Sequence, residues 1–562
     1  MKFPTFAFTF EHKAASVLLC AIVSILISPF CLAQPEIQWQ KSYGGTSAEA
    51  AYSIRQTILG EYIVAGYSAS DDGDVSHNHG GNDYWILFLH IDGEIIWEEN
   101  FGGSNEEIAT AINYSHRGGY VVAGYTNSND GDVTGLHGNY DYWILELDYF
   151  GNLLWQKCLG GYSTDYAYDI HPVNLFDYRG EYIITGLSQS NSGDVTGHHG
   201  STFYADYWVV RTDSLGNIIW QKSLGGSGGD VSHSMCNFID NEFIISGYSN
   251  STDGDITSFF GYDDSWLVRL SPGGNIEWQR CYGGSMIDRA YSVVQTHDCG
   301  FAFAGLSYSH DGDVSENKGM SDFWIVKLDY WGNIQWERSY GGSYEDVAQS
   351  IEQTDDRGFI IAGYSRSNDG DVSVHHGSVS TFDYWIVKLD STGELEWEKT
   401  LGGSLNDQAY SITQTNDGGY IVAGRSQSTD GDITSSRGEY DMWIVKLAPY
   451  VMNIKETPSR PLDIALSAHP NPFNSAVTIA LDGVGDGSPV PFDVEIYDVN
   501  GRMVEGGTVG AYCIRPFDGS TRLTPTIQEY IWSPHESLPS GVYLVRARID
   551  RNVVEKRVIY LK

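Results

Sequence analysis

Ile37-Gln38-Trp39-Gln40-Lys41-Ser42-Tyr43-Gly44-Gly45 reads as a lone strand at the head of a long repetitive region, and that region ends at Asp441-Met442-Trp443-Ile444-Val445-Lys446-Leu447 without another. Between them the signature Trp-x-x-x-x-Gly-Gly returns at Trp97, Trp155, Trp220, Trp278, Trp336 and Trp397. The steps counted from Trp39 are 58, 58, 65, 58, 58 and 61 residues. Each unit carries a second tryptophan, at Trp85, Trp143, Trp208, Trp266, Trp324, Trp385 and Trp443, so 14 of the 16 tryptophans fall in two columns. Sustained periodicity of this kind marks a repeat architecture.

Within a unit the pattern resolves into four segments of strand length, which in the first copy are 51–57, 62–67, 84–90 and 95–101. Each alternates or runs apolar and is bounded by Gly, Asp, Asn or Ser, as strands are. Four strands repeated seven times predict an all-β, seven-bladed β-propeller over residues 34–448, because a single blade cannot bury both of its faces. The lone strand at 37–43 then supplies the missing fourth strand of the last blade and closes the ring. The stretches Leu224-Gly225-Gly226-Ser227 to Asp230 and Leu401-Gly402-Gly403-Ser404 to Asp407 resemble the bacterial seven-bladed propeller repeat family. That resemblance implies the fold and leaves the activity open, since propellers host many functions.

Of the 562 residues, 73 are acidic and 33 basic, a formal net charge of −40. Such a field repels nucleic-acid phosphates and anionic lipid, which excludes both as expected partners. At the N-terminus, Lys2 and Lys13, an apolar run over 14–30 and Cys31-Leu32-Ala33 read as a secretory signal peptide, 1–33, cut after Ala33. An uncleaved anchor is the alternative, because the run approaches spanning length. No later segment is expected to span a membrane. Cys158, Cys236, Cys281, Cys299 and Cys513 remain after cleavage; their spacing supports neither a disulfide framework nor a zinc site.

After a linker at 449–463 the repeat gives way to a second region, 464–562, whose strand-like runs between Gly and Pro predict a small β-sandwich. Pro470-Asn471-Pro472, Gly501-Arg502, Gly541-x-Tyr543 and the terminal Lys562 come in the order found in the C-terminal sorting domain of type IX secretion substrates, which this region resembles. The resemblance implies the type IX machinery as a partner, a Bacteroidota-type source, and release or attachment at the outer cell surface. An ordinary accessory sandwich is the alternative.

Three acidic columns recur with the blades. One lies between the Gly-Gly strand and the next: Glu49, Glu107, Asp165, Asp230, Asp288, Asp346 and Asp407. A second is Asp-Gly-Asp: Asp72 and Asp74, Asp130 and Asp132, Asp253 and Asp255, Asp311 and Asp313, Asp369 and Asp371, Asp430 and Asp432, with Ser192 and Asp194 in the third blade. The third precedes each second tryptophan by two: Asp83, Asp141, Asp206, Asp264, Asp322, Asp383 and Asp441. Antiparallel neighbours place all three at one face. Asp in turns accepts backbone N–H groups, which gives a purely structural reading. Calcium is the sharper alternative, with Asp-Gly-Asp and the third-column Asp of one blade converging on one ion, although the spacing is not that of an EF-hand. Catalytic carboxylate pairs fit a sevenfold repeat poorly, since acid and base need different surroundings.

His79, His137, His199 and His376 share a column with Phe260, Lys318 and Arg437, which reads as an exposed loop tip rather than a metal ligand. The tryptophans read as packing between blades, with carbohydrate stacking as the runner-up. Insertions lengthen the third and sixth blades on the acidic face. There Phe203, Tyr204 and Phe382 are candidate ligand contacts, because specificity resides in loops on rigid scaffolds. Together these features predict a secreted, non-enzymatic scaffold that binds an extracellular protein or glycan, with calcium as its one candidate cofactor. The competing expectation is a secreted enzyme acting on glycans or a protein similar to quinone-dependent dehydrogenases. Leu389-Asp390 to Trp397 resembles the repeats of that last family, without a vicinal Cys pair or quinone site.

Overall fold

The computed structural model describes residues 34–173, 180–238 and 241–449, together with the C-terminal strands named below. Seven four-stranded antiparallel sheets follow one another around a ring, each packed on the next, and no α-helix occurs among the described residues. In the first blade the strands, a to d from the axis outward, are Glu49–Gln56, Tyr62–Ser68, Asp83–Leu89 and Ile95–Phe101. The seventh blade takes Asp407–Gln414, Tyr420–Ser426 and Asp441–Leu447 from its own stretch of chain and Ile37–Tyr43 from the N-terminal side. Trp39 lies opposite Lys446 and Tyr43 opposite Met442, so the ring closes as the sequence predicts.

Closure extends to the side chains. The strand-c tryptophans are wholly buried, and a buried indole N–H left unbonded costs free energy. In each blade a strand-d carboxylate or amide accepts it: Glu98 for Trp85 at 2.8 Å and Gln156 for Trp143 at 2.9 Å. In the seventh blade the closing strand supplies the acceptor, Gln40 to Trp443 at 2.7 Å. The strand-d tryptophans sit at the seams. Trp39 packs beneath the turn at Gly93, whose φ of +80° and whose lack of room (a Cβ would come 2.9 Å from Trp39 Cζ3) both require glycine. Tyr84 donates across the seam to the carbonyl of Trp143 at 2.9 Å. The tryptophans are thus packing elements.

Every strand a contains a β-bulge, between Ala51 and Ser53 in the first blade and at the equivalent point in the other six. A bulge re-aims one side chain, here toward the axis.

Beyond the propeller, Ala465–His469, Val477–Asp482 and Glu529–Trp532 form a three-stranded sheet. Met503–Val509, Phe492–Tyr497, Gly541–Ile549 and Asn552–Tyr560 form a four-stranded one. Gly541 and the buried Tyr543 lie in the long strand of the latter. The expected signal segment, most of the expected linker, and Pro470, Asn471, Pro472, Gly501, Arg502 and Lys562 lie outside the described residues. Among the described residues no helix is long and apolar enough to cross a membrane.

One expectation needs correction. Cys299 is disulfide-bonded, whereas Cys158, Cys236 and Cys281 are buried free thiols.

Candidate functional site

The acidic columns do meet at one face, and their carboxylates are engaged by the backbone. In the first blade the three successive N–H groups of the Gly-Gly turn each donate to a different acid. Gly44 gives to Asp74 at 3.2 Å, Gly45 to Glu49 at 3.0 Å and Thr46 to Asp72 at 2.7 Å. The second blade repeats this with Asp132, Glu107 and Asp130. In the third blade Ser192 takes the place of the first Asp, and its hydroxyl accepts from Tyr162 at 3.1 Å. A serine can replace a hydrogen-bond acceptor, which accounts for the departure. Gly73, at φ +71° and with a would-be Cβ 2.3 Å from Gly44 O, lets the two aspartates flank the turn.

Asp83 does not join Asp72 and Asp74 of its own blade. Its Oδ2 accepts from the His79 N–H, and the same bond recurs in all seven blades. Its Oδ1 points to the first acid of the next blade instead. The geometry is clearest at Gly341, where a Cβ, if present, would come 2.5 Å from Asp322 Oδ1 and 2.6 Å from Asp346 Oδ2. Among the described residues no group of three or more His, Cys, Asp or Glu is arranged to hold a metal. Both the Glu49 and the Asp83 columns are fully buried, leaving Asp-Gly-Asp as the exposed part, so the face is less acidic than the sequence predicts.

Burial disfavours the charged form of these acids. It raises Asp322 to about 7, with Asp346 and Asp371 adding to the rise, and it raises Asp346 to about 6. Asp383 is the exception. Burial would raise it, yet hydrogen bonds from His375 and His376 hold its carboxyl below the usual range.

The histidine column does lie at a loop tip, with His137, Phe260, His376 and Arg437 exposed and the rest half-buried, but its polar members are not free. Each ring stands between blades: His79 Nδ1 lies 3.0 Å from Asp83 of its own blade and Nε2 3.7 Å from Asp132 of the next. His137, His199 and His376 repeat the arrangement toward Asp194, Asp255 and Asp432. Lys318 reaches Asp371 at 2.5 Å, and Arg437 pairs with Asp74 across the closing seam. The column thus varies among groups that can be cationic. Phe260 alone cannot be, and the facing Asp313 makes no ion pair with any described residue.

Of the loop aromatics, Phe203 is 78% exposed and Tyr204 46%, packed edge to face with centroids 5.3 Å apart. Phe382, in a non-adjacent blade, is half-buried under the Arg366 guanidinium, 3.9 Å from its ring centre.

The sevenfold repetition fails along the axis. The bulge residues are Tyr52, Thr110, Tyr168, His233, Tyr291, Gln349 and Tyr410, facing a cavity of about 500 Å³. Tyr410 and Tyr52 form one aromatic arc, with centroids 4.9 Å apart. Tyr168, His233 and Tyr291 form another, at 5.0 and 4.9 Å. Burial, with Arg289 nearby, lowers His233 to about 3, so that ring is neutral. Three residues further along the strand, Arg55, His171 and Glu352 occur in single blades. One residue after the bulge, Asp169 replaces the small residue of other blades; its Oδ2 accepts from Met235 N–H at 2.9 Å, as Ser53 accepts from Ile112 at 3.3 Å. Burial would raise Asp169, but His171 beside it and these hydrogen bonds hold it below the usual range. Burial raises Glu352, opposed by Thr413 and Arg55. Arg55 itself makes no hydrogen bond or ion pair with any described residue and lines the cavity. None of these axial residues is among the candidates read from the sequence. The available signal was a column that varies in chemistry while its neighbours repeat.

No family model matches the chain. A stretch of 188 residues is 25% identical to the regulatory protein FlaEY of Caulobacter vibrioides, covering 32% of this chain and 20% of that one. This chain thus spans about a fifth of that relative's length. Among solved structures, a puromycin hydrolase aligns over 78% of this chain and 61% of its own, with 12% identity and a TM-score of 0.40. Dimeric latent PorU from Porphyromonas gingivalis aligns over 67% of this chain and 34% of its own, with 12% identity and a TM-score of 0.15.

Proposed function

We propose that this chain is a non-catalytic binding protein, exported by a type IX secretion system through residues 464–562 and released from or held at the outer cell surface. One observation carries the binding role. The repeated acids, histidines and tryptophans are spent on holding blades together, whereas the axial channel gathers chemistry that occurs once per chain. Its partner is an extracellular glycan or protein. A second reading, a glycan-cleaving enzyme, is favoured by Asp169 and Glu352, two channel carboxyls pushed in opposite directions. Binding is preferred because Asp169 is occupied by the N–H groups of Ile170 and Met235 and by His171.

The test incubates the secreted chain with insoluble cell-wall and plant polysaccharides, assaying retention and release of reducing ends. Retention without release is expected. Release of products contradicts the non-catalytic role, and no retention on any matrix contradicts glycan binding. Export is tested separately by deleting residues 464–562, with accumulation in the periplasm as the expected result.

A further inference from the structure

We propose that the axial channel is a binding site for one acidic sugar residue, a hydroxylated ring bearing a carboxylate, such as a hexuronate at a glycan end. The inference rests on the binding reading above and names its ligand class.

The volume, about 500 Å³, falls within the range of roughly 300–1,000 Å³ typical of small-molecule sites. The wall has two levels, three residues apart along strand a, or roughly 10 Å. At the level nearer the acidic face, two aromatic arcs, their rings packed on one another, line the cavity and give an apolar wall for the C–H groups of a sugar ring. Thr110 and Gln349 interrupt the arcs with polar groups, so the wall suits a hydroxylated ring better than a purely apolar one.

At the deeper level stands Arg55. Its five N–H donors form a fork that matches a carboxylate bidentately, and no described residue uses them. Asp169 and Glu352 both feel this charge, but neither forms a hydrogen bond or ion pair with the guanidinium, so its donors stay unspent. Asp169 is engaged by backbone N–H groups and by His171, 3.4 Å from it, and Glu352 accepts from the Gln414 N–H at 3.1 Å. A half-buried guanidinium with unspent donors beneath aromatic walls is a receptor for an anionic group on a ring. At the upper level, Arg425 lies over the ring of Tyr440, 4.6 Å from its centre, and adds positive charge beside the Tyr410 and Tyr52 arc. Because Arg occurs at this position in one blade only, the site has a stoichiometry of one per chain.

The experiment is calorimetric titration of the secreted chain with galacturonic acid and, separately, galactose, which differ at the carboxylate. Galacturonic acid is expected to bind at one site per chain, about tenfold or more tighter than galactose, the ratio for a hydrogen bond to a charged group. Arg55→Gln removes that difference and Arg55→Lys keeps part of it. Both variants melt as the parent does, because Arg55 bonds to no described residue. Equal affinity for the two sugars, no heat from either, or an unchanged ratio in Arg55→Gln each overturns the proposal. Retention on polysaccharide that survives Arg55→Gln also overturns it while leaving the surface-binding role intact. Failure of the parent chain to be retained at all rejects the wider reading instead.

Discussion

Replacing Asp322 by Asn isolates the effect of the buried carboxylate pairs. Asp322 is fully buried; its Oδ2 accepts from Lys318 N–H at 2.7 Å, while its Oδ1 has no hydrogen-bond partner and faces Asp346. An amide keeps the first bond and turns a donor toward Asp346. Burial raises the folded-state pKa from 3.8 to about 7. The stability this acid offers is therefore complete below its unfolded pKa near 4 and is lost as pH rises through about 7. At about 1.4 kcal/mol per pH unit the loss has a ceiling of about 4 kcal/mol. Since Asp346 shares the repulsion, about 1–3 kcal/mol is expected at pH 8. Asp322→Asn should thus raise the melting temperature at pH 8, with a smaller gain at pH 5. Asp383→Asn, in the same column, should do the opposite, because two histidines hold that carboxylate ionised. Thermal melts of both variants across pH 5–8 measure this. Destabilisation by Asp322→Asn at pH 8, matching that of Asp383→Asn, would refute the reasoning and point to a cation between the carboxylates.

Phe260→Lys supplies the missing cation toward Asp313 and is expected to stabilise by about 0.5–1 kcal/mol, an effect that fades in high salt; urea titrations at two ionic strengths measure it. Gln40→Ala orphans the buried Trp443 N–H and should cost about 1–3 kcal/mol. Gln156→Ala in an interior blade should cost the same, and a much smaller loss for Gln40→Ala on denaturant titration contradicts closure by the N-terminal strand. Because the Asp-Gly-Asp acids are taken up by backbone N–H groups, EDTA and added calcium should both leave the melting temperature unchanged; a calcium-dependent rise restores the metal reading.

The blades, their number and the closing strand were legible in the sequence because each depends on a local pattern repeated seven times. The paired columns Trp443 and Gln40 could be matched from opposite ends of the region by comparing them with any interior blade. What the sequence left hidden depends on neighbours remote in the chain. Asp83 and Glu107 read as surface charge, yet packing between blades buries both. His79, Lys318 and Arg437 look unrelated until the facing Asp of the next blade is seen. The channel escaped notice for a different reason. A bulge shifts Tyr410 out of the two-residue alternation that identifies strand faces, so its direction follows from the ladder register and not from periodicity.

The assignment of ligand recognition to the axial channel is tested most directly by a crystal structure of the chain soaked with galacturonic acid. The predicted result is density for one sugar inside the ring, its carboxylate on the Arg55 guanidinium and its ring against the Tyr168, His233 and Tyr291 arc. An empty channel, or sugar bound only at the exposed Phe203 and Tyr204 loop, would contradict it.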